Sequence, residues 1–340
     1  MTGTRQARIS AVGSALPERV VPNAYFESIL DTSDEWIRER TGIRARRFAG
    51  PNETTATLAA DAADRALAAA GVDPGAVDLL IVGTITPDRP MPSAAAFVQA
   101  RMGMACPAFD LNAACAGFVY GLSLAAAQIQ AGAADRVLVI GSETLSRVLD
   151  MTDRSTCVLF GDGAGAALLE PSEEPGVMGS RLELDGGAVD VLTIPAGGSA
   201  EPASAQTVAA GRHLIQMPDG RVVFKRAVVG MAEACSSLLE KAGMSADDVS
   251  VVVPHQANAR IMLAVADRLG LPHDKLFVDI AEVGNTSAAS IPIALDHAWR
   301  AGRIGPGDVV LTTAFGAGLA WGANLIRWTA PAPAAEAARG

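Results

Sequence analysis

Two stretches of this 340-residue chain follow one plan, 172 residues apart, and no other feature limits the possible folds as much. Residues 70–82 and 242–254 both read as a helix end, a glycine, a short acidic loop and an apolar strand. Farther on, 135–140 corresponds to 308–312, and each copy then runs into a Gly-rich hairpin pattern, at 160–169 and 315–326. Strands too apolar to alternate need cover on both faces, so two copies of a strand and helix unit predict an α/β protein with helices on both faces of its sheets. The polar, turn-rich run 170–176 is the natural join. It divides the chain into halves 1–172 and 173–330, followed by an Ala- and Pro-rich tail, 331–340, with little to bury.

Three places carry candidate chemistry. Cys115 stands between a short apolar run and a long Ala-rich helical pattern, where a strand would pass into a helix. Unpaired N–H groups at a helix start favour thiolate over thiol, so a lowered thiol pKa is expected, and Ala113, Ala114, Ala116 and Gly117 leave room around the sulfur. A buried structural cysteine is the plainer alternative for an isolated Cys in an apolar stretch. His255 ends the apolar strand 251–254, just before the helix pattern 259–269, and Asn285 lies in the small, polar run 284–290 that opens another helix. Each signal is weak alone, since such a His can be an ordinary hydrogen bonder and Gly-Asn an ordinary turn. As a set, Cys, His and Asn at strand-to-helix junctions could converge at one end of a layered sheet, where open α/β folds place their sites.

At these three motifs, and at residues 31–37, 40–44, 160–166 and 315–318, the chain resembles the β-ketoacyl-acyl-carrier-protein synthase III family of the thiolase superfamily, from about Ile9 to Trp328. The resemblance implies the five-layered αβαβα thiolase fold with two duplicated halves, the first carrying the nucleophile and the second the His and Asn. It implies a homodimer that takes an acyl group from acyl-CoA onto Cys115 and condenses it with malonyl-acyl carrier protein, releasing carbon dioxide. Cys115 suits the first step because thioester exchange is nearly isoenergetic. His255, expected to be neutral, and Asn285 can donate to the enolate left by decarboxylation. By resemblance, the backbone N–H groups of Cys115 and Ala317 form an oxyanion hole, although relatives often have glycine where Ala317 stands. Trp36 and Arg154 match an adenine sandwich for coenzyme A, with Thr32, Arg40 and Asn258 completing that site. Met91 takes the position of a residue that reaches into the partner's acyl pocket, and the loop 197–211 could border that pocket.

Charge and cysteine usage narrow the partners. A formal net charge of −10 argues against nucleic acid. A local basic rim of Lys225, Arg226, Arg260 and Arg268 could still dock an acidic carrier protein, although Asp267 replaces a basic residue frequent in relatives. Four cysteines and four histidines without ligand spacing predict reduced thiols and no metal. No cofactor is expected, acyl-CoA and the malonyl carrier being substrates. A polar N-terminus and the lack of a long apolar run predict a cytoplasmic enzyme with no membrane segment. Two other functions stay open: an acyltransferase to an alcohol or amine, and a non-catalytic partner subunit. Relatives with the first activity often carry Asp where Asn285 stands, and the second has no use for Cys115, His255 and Asn285 together. Thiolases use a second cysteine in the C-terminal hairpin, and residues 313–322 contain none.

Overall fold

The computed structural model describes residues 5–333; residues 1–4 and, of the proposed tail, 334–340 lie outside them. The first part of the chain forms β1 (Gln6–Ala15), β2 (Val20–Pro22), α1 (Asn23–Glu27), α2 (Asp34–Thr41), β3 (Ala45–Arg47), α3 (Thr55–Ala70), β4 (Leu79–Gly83), α4 (Ala94–Met102), β5 (Ala108–Leu111), α5 (Gly117–Gln130), β6 (Val137–Glu143) and β7 (Gly163–Ser172). The remainder forms β8 (Val177–Leu184), α6 (Ala205–Ala209), α7 (Gly220–Lys241), β9 (Val251–Pro254), α8 (Ala259–Leu269), α9 (Ile280–Val283), α10 (Ser290–Arg300), β10 (Val309–Gly316) and β11 (Ala320–Arg327).

Two sheets carry the architecture. One has the order β1-β7-β6-β4-β5, with β4 parallel to both β5 and β6; the other has the order β8-β11-β10-β9, with β9 and β10 parallel. Helices α3 and α4 cover the outer face of the first sheet, α5 and α10 lie between the sheets, and α7 with α8 covers the outer face of the second, giving five layers. Strands β6 and β10 are buried along their whole length, as cover on both faces requires.

The repeat read from the sequence is visible in backbone detail. Strand β4 begins at 79 and β9 at 251, β6 at 137 and β10 at 309, so both pairs keep the 172-residue offset. Helix α3 is followed by Gly71 at φ 68° and α7 by Gly243 at φ 67°, the left-handed region where glycine pays no Cβ penalty. Capping fixes the helix starts: Thr54 and Thr57 form a reciprocal box at α3, and Asn258 accepts from Arg260 N–H at α8.

Small residues bring the middle layer together. A Cβ on Gly141 of β6 would stand 2.1 Å from the Ala288 carbonyl oxygen, and one on Gly165 of β7 would stand 2.6 Å from Ile293 N. The segment 284–290 therefore lies against the first sheet backbone to backbone. Its polar groups are carried to the end of β6 and to the turn ahead of α5, where Cys115 stands.

Candidate active site

Cys115 occupies a single 3-10 turn, Ala114–Ala116, interposed between β5 and the start of α5. Ala114 before it has φ 46°, a left-handed conformation uncommon for a residue with a side chain. Ser287, on the facing segment, has φ 50°. These two are the positive-φ residues other than glycine among the described residues, and both stand beside the sulfur, where strain of about 1–3 kcal/mol each is tolerated because surrounding packing dictates it.

The lowered thiol pKa expected from the helix start is corrected by the structure. Burial foremost, with a smaller push from the Glu143 carboxylate, holds the Cys115 thiol up at about 11 despite the opposing influence of the Ser287 hydroxyl and the Cys115 N–H. Desolvation outweighs the dipole because the thiol is deep among small apolar neighbours, with only 8% of the residue exposed.

His255 follows β9, and its N–H donates to Thr313 O of β10 at 2.7 Å. The imidazole Nδ1 is 2.6 Å from Ser290 Oγ, which also accepts from Gln256 N–H at 3.3 Å. The assignment in which Ser290 donates to Nδ1 gives the hydroxyl proton an acceptor and leaves the ring proton on Nε2. Burial without a counter-charge lowers the His255 pKa to about 3, so the ring is neutral at physiological pH.

Asn285 is held on both sides by backbone bonds, donating to Leu159 O at 2.9 Å and accepting from Gly161 N–H at 2.9 Å. Its Oδ1 accepts from Ser287 N–H at 2.9 Å, which fixes the carboxamide orientation and turns Nδ2, a pure donor, the other way.

Cys115, His255 and Asn285 line one cavity of about 120 Å³, together with Phe224, Asn258 and Gly316. Cys115 also lines a second cavity of about 600 Å³, whose walls include Ile85, Leu145, Ile194, Ser287 and Ala317 and no charged side chain. The sulfur therefore stands where a narrow passage carrying His255 and Asn285 meets a larger chamber with no charged wall. Gly316 explains how the loop after β10 comes so close, since a Cβ there would be 2.6 Å from Cys115 N and 3.1 Å from Cys115 Cβ.

Two regions of a known family model match this sequence. Residues 109–186 match the description 3-oxoacyl-[acyl-carrier-protein (ACP)] synthase III, and residues 239–328 match its C-terminal region. A curated β-ketoacyl-[acyl-carrier-protein] synthase III from Symbiobacterium thermophilum is 50% identical over 326 residues, covering 95% of this chain and 98% of that relative. This chain belongs to the β-ketoacyl-acyl-carrier-protein synthase III family. Among solved structures, the 3-oxoacyl-[acyl-carrier-protein] synthase III of Aquifex aeolicus is similar at a TM-score of 0.88 and 45% identity, covering 95% of this chain and 100% of that one. The priming β-ketosynthase of the R1128 polyketide pathway is similar at 0.90 and 38% identity, covering 98% and 99%. The two sheets and three helical layers are thus the thiolase fold of the synthase III family.

The other sequence candidates are less uniformly placed. Arg154 lies directly on Trp36, its guanidinium carbon 4.7 Å from the ring centroid, with Arg40 at 5.8 Å. The pair expected to sandwich an adenine is closed on itself and must part to admit one. Asn258 donates to Arg40 O at 3.0 Å while capping α8, which joins the narrow cavity to the Trp36 region. Thr32 Oγ1 nearby is buried and has no protein partner.

Of the basic rim, Arg226 pairs with Asp185 at 2.7 Å and Arg268 with Glu233 at 3.6 Å, so both cations are partly neutralised within the chain. Lys225 and Arg260 are exposed, Arg260 standing over the Phe224 ring at 5.9 Å. Met91 is 84% exposed and lines neither cavity described above. Gly197 and Gly198, from the loop expected to border the pocket, do line the large cavity.

Sequence reasoning missed Ser287, Ser290 and Glu143 as parts of the site. The first two lie inside the polar run 284–290, which made them visible as hydroxyls without revealing their partners. The signal for Glu143 was a single charge ending the buried strand β6.

Proposed function

We propose that this chain catalyses decarboxylative condensation of an acyl-CoA primer with malonyl-acyl carrier protein, initiating fatty acid or polyketide synthesis. The observation that carries the reading is the position of Cys115 at the junction of the two cavities, with His255 and Asn285 in the narrow one. The charge-free 600 Å³ chamber suits the acyl chain, and the passage leading by Asn258 to Arg40 and Trp36 suits a pantetheine arm and its nucleotide. The Cys115 sulfur attacks the primer thioester, and coenzyme A leaves. Malonyl-carrier then enters by the same passage and loses carbon dioxide. His255 Nε2–H and Asn285 Nδ2–H are the two donors available to the enolate oxygen, both neutral and both oriented before charge develops. The carbanion attacks the acyl-Cys115 carbonyl, whose oxygen is received by the N–H groups of Cys115 and Ala317. A neutral imidazole is sufficient because the enolate requires a hydrogen bond, not a counter-ion.

The working form is a cytoplasmic homodimer in which the exposed Met91 enters the partner's acyl chamber. An apolar side chain 84% exposed in one chain is well suited to cover from a second copy. Among the described residues, no helix is long and apolar enough to cross a membrane. Lys225 and Arg260 are the remaining exposed cations for carrier docking.

Intact-protein mass after mixing with a panel of acyl-CoAs, then after adding malonyl-carrier protein, tests the reading. An adduct on Cys115 discharged to a 3-oxoacyl carrier supports condensation and identifies the primer. Discharge only by alcohols or amines assigns the chain to acyl transfer instead, and no adduct removes the catalytic reading.

A further inference from the structure

Glu143 closes β6 with a fully buried carboxyl group, and the groups that meet it are neutral donors. Oε2 accepts from Thr86 Oγ1 at 2.6 Å and Thr84 Oγ1 at 3.2 Å, the Ile85 N–H bridges both oxygens at 3.1 and 3.2 Å, and Oε1 accepts from Ser287 Oγ at 3.1 Å. Three of these partners belong to the segment 84–86, and bracing that segment would account for them. The contact with Ser287 is different, because Ser287 and Cys115 line the same cavity wall, the Ser287 hydroxyl acts on the Cys115 thiol, and with its own proton on Glu143 its oxygen is left to accept one from the sulfur. On Oε1, a proton could be passed onward to Ser287 Oγ but not to Ile85 N–H, which only donates.

We propose that Ser287 and Glu143 form a proton relay for Cys115, the thiol proton passing to Ser287 Oγ as the Ser287 proton passes to Glu143 Oε1. The electron pair freed on Sγ forms the new S–C bond while the C–S bond to coenzyme A breaks. The departing thiolate takes a proton from Ser287 Oγ, which is replenished by the proton on Glu143 Oε1, so Glu143 ends as a carboxylate. Glu143 acts through Ser287 throughout. This rests on Cys115 being the acyl acceptor.

The alternative acceptor within the site is His255, but burial holds its pKa near 3 and its Nδ1 is engaged with Ser290. Burial instead raises the Glu143 carboxyl to about 7, which makes it the better proton acceptor at neutral pH. Its negative charge is also one reason the thiol resists ionisation, and protonating Glu143 removes that repulsion as the thiolate forms. Asp162, the other carboxylate at this end of the sheet, is held by Ser146 and Ala49 N–H, and the Glu143 charge acts on the Cys115 thiol.

Alkylation of Cys115 by iodoacetamide, followed by intact mass from pH 5.5 to 10 on the full chain, reads the relay without acyl chemistry; Cys115→Ser identifies the label. In the unaltered protein the rate should rise through a step near pH 7. Glu143→Gln and Ser287→Ala should lose that step, react at least tenfold more slowly at pH 8, and converge with the unaltered protein toward pH 10, where hydroxide deprotonates the thiol directly. An unchanged profile in either variant, or a loss equal at all pH values, overturns the relay in favour of a purely bracing role. Should Glu143→Gln fail to give a cooperative melt, Ser287→Ala decides alone. A protein that alkylates with the step yet never accepts an acyl group would refute the proposed function and leave the relay standing.

Discussion

Replacing Gly316 with alanine isolates the contribution of the loop after β10, because the obstacle it creates is backbone against backbone. The new Cβ would stand 2.6 Å from Cys115 N, whereas ordinary contact begins near 3.4 Å, so the two segments must separate by about 0.8 Å. Gly316 itself is extended, at φ −146° and ψ −177°, so alanine meets no conformational penalty and the effect is steric. Overpacking of this kind costs about 1–3 kcal/mol of stability. Moving an oxyanion donor and nucleophile by nearly 1 Å should slow acylation by about a hundredfold. Single-turnover acylation by acyl-CoA, followed by mass, measures the rate, and thermal melting confirms that the variant folds. Gly186→Ala is the control, since a Cβ there meets nothing within 4 Å. A folded Gly316→Ala protein that acylates within twofold of the unaltered chain would refute the argument that this contact positions Cys115.

Three further outcomes are expected. Ser290→Ala removes the partner of His255 Nδ1 and should slow condensation by about tenfold, the equivalent of one buried hydrogen bond, while acylation of Cys115 stays near normal; comparing the two half-reactions checks this. Trp36→Ala should raise the KM for acyl-CoA by about tenfold with little change in the acylation rate at saturation, since stacking contributes about 1 kcal/mol or more to binding and none to the reacting atoms. The folded pKa of His255, about 3, is below the 6.5 of a free histidine, so the unfolded chain binds the proton first. This residue therefore contributes stability above pH 6.5 that is lost as pH falls, by about 1.4 kcal/mol per unit. In His255→Asn that loss disappears, and denaturant midpoints of the two proteins at pH 7 and pH 4.5 should show the variant gaining relative to the original; parallel shifts would contradict the assignment.

The backbone plan was readable because it depends on local pattern. Gly71 and Gly243 mark helix ends wherever they occur, and the apolar strands before His255 and after Ala76 need cover on both faces whatever their neighbours. Cys115, His255 and Asn285 were readable for a related reason, each lying where an element changes. Properties created by distant packing were not. The pKa of Cys115 depends on how completely α5, the loop after β10 and Ser287 exclude water, which no short window records. Asp185 lies 41 residues from Arg226, and their ion pair takes one cation out of the basic rim expected from Lys225, Arg226, Arg260 and Arg268. Trp36 and Arg154 were expected on opposite faces of an adenine, whereas in the structure the two side chains fill the space between them, a closure that no local pattern records.

The placement of one sulfur at the mouth of two cavities has a consequence for inhibition. Under the proposed chemistry, both substrates deliver their thioesters through the passage lined by Phe224, His255 and Asn258, while only the primer's acyl chain enters the larger chamber. A small molecule wedged in that passage should be competitive with acyl-CoA and with malonyl-carrier alike. One lodged against Leu145 and Ile194 should compete with the primer alone, and once Cys115 is acylated it should lose its binding space altogether. The two kinds of ligand can thus be told apart by whether prior acylation protects the protein from them.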